Sequence, residues 1–95
     1  MHSSRYRAYA ECADEQGAEI LGIFERDELG TTHAVGLLLR TDSGPYVVCD
    51  ATLAPGAYHA EIHTGNSYPT FHAAKVAFAR HLANSFAPSP VWVAA

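Results

Sequence analysis

Apolar and polar positions alternate most strictly in the last third of the chain. In Tyr58-His-Ala-Glu-Ile-His63, Tyr58, Ala60 and Ile62 fall on one side of an extended segment, and His59, Glu61 and His63 on the other. After a loop from Thr64 to Pro69 the period changes. Phe71, Ala74, Phe78 and Leu82 recur at helical spacing, Thr70 can cap the segment, and Arg80 and His81 sit in its last turn. A helix over 70–85 is therefore expected, with those four apolar residues against a sheet.

Upstream, Ala18–Arg26, His33–Arg40 and Tyr46–Cys49 are apolar runs punctuated by turn residues, and they read as strands. Asp-Ser-Gly before Pro45 marks a hairpin between the second and third. Ala54-Pro-Gly56 has the order of a type II turn. Gly22 inside the first run points to a bulge or a close backbone approach. Val91-Trp-Val93, after two prolines, can add an edge strand.

Residues 5–12 fit two patterns. Tyr6, Ala8, Ala10 and Cys12 alternate with Arg5, Arg7 and Glu11, whereas Tyr6, Tyr9, Ala10 and Ala13 make a helical stripe that Ser4 can cap. Asp14-Glu-Gln-Gly17, with Asp first and Gly last, favours a turn and hence a strand before it. The fold expected is α+β, an antiparallel meander of about five strands packed on one long C-terminal helix, in one domain over 1–95.

Charge narrows the functional classes. The net charge is −4, and seven of the ten acids (Glu11, Asp14, Glu15, Glu19, Glu25, Asp27, Glu28) lie between residues 11 and 28. The six bases are scattered, so no basic stripe exists to neutralise phosphates, and no direct nucleic-acid binding is expected. An acidic face suits a basic protein surface, including one that normally holds nucleic acid. Cys12 and Cys49 have no CxxC partner and read as reduced, apolar strand residues of a cytoplasmic protein. No apolar run approaches the roughly 20 residues of a membrane span, and no secretory h-region follows the N-terminus.

Six histidines are many for 95 residues. His59, Glu61 and His63, at spacing two, would share a strand face, and two imidazoles with a carboxylate can begin a zinc or iron site. No HExxH, CxxC pair or EF-hand loop accompanies them, and no nucleophile elbow or phosphate-cradling glycine run is present. Neither a metal nor another cofactor is therefore expected. The reading that follows is a non-enzymatic protein-binding module, an inhibitor or regulator that occupies a partner's surface. Small phage and mobile-element proteins that block bacterial defence complexes, anti-CRISPR proteins among them, are one such class. Tyr9, Glu11, Glu19, Glu25, His59, Glu61 and His63 are its expected contact residues, collected on the sheet face away from the helix. Two alternatives remain: a metal-binding protein or small metalloenzyme built on the His59, Glu61, His63 face, and a structural subunit of a homo-oligomer. The last arises because the strands between 18 and 40 are apolar on both sides, which calls for a second cover such as a homodimer would supply.

Overall fold

The computed structural model describes residues 4–26, 32–84 and 91–92. Most of the loop expected after Arg26, the acids Asp27 and Glu28, His2 and the segment 85–90 lie outside the described residues. The elements run α1 (Ser4–Glu15), β1 (Ala18–Glu25), β2 (His33–Thr41), β3 (Tyr46–Leu53), β4 (Glu61–Ile62), β5 (Asn66–Tyr68), α2 (Phe71–Asn84) and β6 (Val91–Trp92). The sheet order is β4-β3-β2-β1-β6, with β5 beside β4 on the same edge of β3, and every pairing is antiparallel. The meander and its long C-terminal helix are as expected.

Residues 5–12 are not a strand. They belong to α1, which buries Ala8, Tyr9 and Ala13 along one stripe. The turn anticipated at Asp14–Gly17 exists, but as the helix's exit: Gln16 N donates to Ala13 O and Gly17 N to Asp14 O, both at 3.0 Å. Gly17 has φ +71°, a left-handed stop that a side chain would strain. The helical stripe prevails over alternation because the sheet needs a cover on that face. Seven consecutive residues of β2, His33 to Leu39, are buried, which no one-sided sheet allows.

Two cores result, one on each face. Under α1 lie Ile20, Ile23, Val35, Leu37, Leu39, Cys49 and Ala51; under α2 lie Leu21, Phe24, Leu38 and Val48. Ile20 and Ile23 are three apart and would face opposite ways in a regular strand. A bulge puts them on the same side: Ile20 opposes Leu39 and Gly22 opposes Leu38, leaving Leu21 as the extra residue. The irregularity expected at Gly22 is this bulge. Since α1 covers the second face, the two-sided strands no longer argue for a homodimer.

Helix α2 begins where expected, with Ala73 N donating to Thr70 Oγ1 at 3.1 Å. Ala74 and Phe78 are fully buried and Leu82 is half-buried, whereas Phe71 is exposed and stacks obliquely on Tyr46, centroids 5.7 Å apart. Phe71 begins the helix beyond the body of the sheet, so the expectation of its burial is corrected. Phe24 lies between Phe78 and His81 and directly over Gly36, where a Cβ would stand 2.3 Å from its ring.

That contact is testable. Gly36→Ala should cost about 1–3 kcal/mol by overpacking, read from urea unfolding midpoints. In a Phe24→Leu background the same change should cost much less. Equal penalties in both backgrounds would show that the ring is not what excludes a side chain at position 36.

Candidate functional site

The segment 58–63 departs most from its pattern. Only Glu61 and Ile62 pair with β3, opposite Thr52 and Ala51, while Tyr58, just past the preceding turn, is 88% exposed. That turn is of the expected kind: Ala57 N donates to Ala54 O at 3.1 Å, and Gly56 has φ +75°. Pairing resumes at Asn66 opposite Val48. Residues 63–65 thus oppose only Cys49 and Asp50, which makes a second bulge, on the sheet edge. Gly65 passes so close that a Cβ would sit 2.1 Å from Val48 O and 2.5 Å from Cys49 Cβ. Only glycine fits there.

A cleft opens on each side of this bulge, and Thr64 and Gly65 line both. Facing α2 is one of about 450 Å³, lined by Asp50, Asn66, Tyr68, Arg80, His81 and Asn84 among others. Facing α1 is a smaller groove of about 230 Å³, whose lining includes Gln16, Ala18, Leu39, Val47 and Ile62.

In the larger cleft Asp50 is held from two directions. Arg26 Nη1 approaches one carboxylate oxygen at 2.9 Å and His81 Nε2 the other at 2.6 Å. His81 also sets its ring edge-on to Phe24, centroids 5.2 Å apart. An oriented imidazole beside a carboxylate can serve as a base. Cys49 does not complement it as a nucleophile: its side chain belongs to the core under α1, and burial, then the Asp50 carboxylate and Cys12, push its thiol up to about 12. Both cysteines are free thiols.

A second polar chain lies under α1. The Tyr9 hydroxyl is 2.8 Å from His33 Nδ1 and 3.3 Å from the His33 carbonyl, and His33 Nε2 is 3.1 Å from Glu25 Oε1. With a neutral ring, Nε2–H donates to Glu25 and the tyrosine donates to Nδ1. With a protonated ring, Nδ1–H donates to the tyrosine oxygen, which can turn its own proton to the carbonyl. Either state leaves both ring nitrogens paired.

The expected contact residues are only partly brought together. Tyr9 is fully buried and cannot meet a partner; it belongs to the core because residues 5–12 are helical. Glu11 is exposed on the outer side of α1, with Asp14 and Glu15 one turn further along. Glu19 is exposed and ion-paired with Arg40, and Glu25 is exposed but engaged by His33. His59, Glu61 and His63 are all exposed, yet they share no regular strand, and His63 Nε2 lies 3.0 Å from Thr52 Oγ1. Among the described residues no three His, Cys, Asp or Glu side chains converge as a metal site would need. Nor is any described helix long and apolar enough to cross a membrane.

His33, Arg26 and Asp50 had no place in the sequence expectations. Asp50 did leave a signal, since a carboxylate inside the apolar run Tyr46–Leu53 requires a cation. No protein-family model, curated protein or solved structure compared with the chain matches it.

The raised Cys49 thiol yields a pH prediction. Its ordinary value is 9.0 and its folded value about 12, so between those limits the folded chain holds the proton that the unfolded chain has lost. This contribution to stability is intact below pH 9 and declines as pH rises towards 12, by up to about 1.4 kcal/mol per pH unit. Tyr6 is also raised, by burial and by Glu19, and adds loss of the same sign. Urea unfolding of Cys49→Ala should show a shallower alkaline decline than the parent chain; parallel declines would exclude Cys49 as a source.

Proposed function

We propose that the protein is a non-enzymatic protein-binding module whose contact surface centres on the C-terminal end of α1. One observation carries this reading. Glu11, Asp14 and Glu15 are exposed and stand three and four residues apart on one side of the helix, at the end where its dipole is already negative. Like charges at those spacings repel. The last turn holds no basic residue and the first turn no acidic one, so the charges run against the helix dipole from end to end. Asp42 adds to this pole: its amide donates to Gly17 O at 2.8 Å, and its carboxylate lies over Gly17.

Such an arrangement costs α1 a few tenths of a kcal/mol per charge and gains it nothing. It does create a concentrated negative field suited to a basic protein surface, of the kind that otherwise holds nucleic acid. Occupying that surface makes the protein an inhibitor or regulator, and blocking a bacterial defence complex is a role consistent with its size and charge.

Reversing the charges separates function from folding. Asp14→Lys with Glu15→Lys should raise the unfolding midpoint slightly, by up to about 1 kcal/mol per site. The same variant, used as bait in host lysate, should lose the partner that the parent chain retains, with the partner identified by mass spectrometry. A partner held equally by both baits, or none held by either, would refute the reading.

A further inference from the structure

Beside the acidic pole lies the groove on the α1 side of the edge bulge. Its floor is apolar, with Leu39 buried and Val47 and Ile62 half-buried at the margin of the core under α1. Gln16, Ala18 and Thr41 form one margin, and residues 63–65 of the bulge lie at another. Gln16 follows Glu15, and Thr41 precedes Asp42, so the polar margin continues directly into the acidic pole. We infer that this groove is the anchor point for a basic peptide segment, taking one aliphatic side chain while neighbouring Lys or Arg residues meet Glu15 and Asp42. The inference rests on the acidic end of α1 being a docking surface, and it names what docks there.

Size and charge together select this occupant. At about 230 Å³ the groove is smaller than the usual 300–1,000 Å³ of small-molecule sites, but it accommodates a leucine or isoleucine side chain. An aliphatic anchor in a pocket, ringed by polar contacts, is how protein segments gain affinity from a small area. The carboxylates of Glu15 and Asp42, each next in sequence to a lining residue, repel an acidic segment and favour a basic one. The bulge has a part in this, because His63, Thr64 and Gly65 line the groove where the pairing of β4 gives way to that of β5.

The probe is a labelled synthetic peptide with the core Arg-Arg-Leu-Arg-Arg, titrated into the intact chain by fluorescence anisotropy and by amide chemical-shift mapping. Saturable binding should shift amides at 16–18, 39–41, 47 and 62–65. Replacing the leucine by serine should weaken it about tenfold or more, and replacing the arginines by glutamate should abolish it. Ala18→Leu, which fills the groove, should weaken binding of the leucine peptide and leave the serine peptide unchanged. Should that variant unfold, the shift map and the peptide series on the parent chain still decide. Equal affinity for the leucine and serine peptides, lost in Glu15→Lys with Asp42→Lys, would overturn the groove while leaving the acidic docking surface standing. Shifts confined to the cleft beside α2, or no binding at all, would also overturn it. The lysate comparison then judges the docking surface separately.

Discussion

Everything in this molecule follows from β2 being buried on both faces. Its run His33–Leu39 sends alternate side chains to two cores, so the sheet needs a helix on each side. The neighbouring β1 must obey the same phase, and its bulge at Leu21 lets two isoleucines face α1 while Leu21 and Phe24 face α2. Gly36 completes the arrangement by yielding its side-chain volume to Phe24. Apolar burial at about 25 cal/mol per Å² drives the assembly, but it is non-directional. The bulge and the glycine convert it into one register.

Direction comes from polar contacts, one set per helix. Helix α1 is fixed through Tyr9 to His33 and on to Glu25; helix α2 is fixed through His81 to Asp50 and on to Arg26. Each helix meets the sheet through alanines around one large buried ring, Ala8 and Ala13 around Tyr9 in α1 and Ala74 and Ala77 beside Phe78 in α2. The Tyr9 hydroxyl and the His33 ring are buried, and losing such a partner costs about 1–3 kcal/mol, whereas Glu25 and Asp50 are open to solvent and their ion pairs weigh less. Both sets span three elements, joining helix, one strand and a residue in or just after β1. Stability and specificity thus have different sources here.

Much of this was legible beforehand, and the failures share one cause. Turn residues marked the hairpin before Tyr46, the type II turn at Pro55–Gly56 and a turn at Asp14–Gly17, because glycine and proline act locally. The 3.6-residue period revealed α2 and its Thr70 cap. In residues 5–12, however, Tyr6 and Ala10 belong to both the alternating and the helical pattern, and an eight-residue segment is too short for period alone to decide. The decision is tertiary, made by the uncovered face of β2. Taking the segment as a strand removed the cover, which then had to be imagined as a second subunit, and it placed Tyr9 on the surface. The alternation of 58–63 misled for a complementary reason. Its polar residues are exposed as expected, but only Glu61 and Ile62 are paired as strand, and the bulge at 63–65 breaks the strand on which a shared face depends.

The acidic end of α1 breaks the local rules of helix charge. Elsewhere charges serve the fold: Glu25 meets His33, Glu19 meets Arg40, and Asp50 meets Arg26 and His81. Asp14 and Glu15 instead oppose the helix dipole, and each repels Glu11 one turn back, although lysine at either position would suit the helix better. Exposed sites tolerate such misfits cheaply, so stability alone neither removes nor explains them. Their position does: they stand at the end of α1, next to Gln16 and Ala18, which line the apolar groove with Val47 and Ile62. A surface with charge at the rim and an apolar recess beside it has the anatomy of an interface in which a few residues anchor and the rest orient. Local inconsistency of this kind is where function is expected to reside in an otherwise consistent fold.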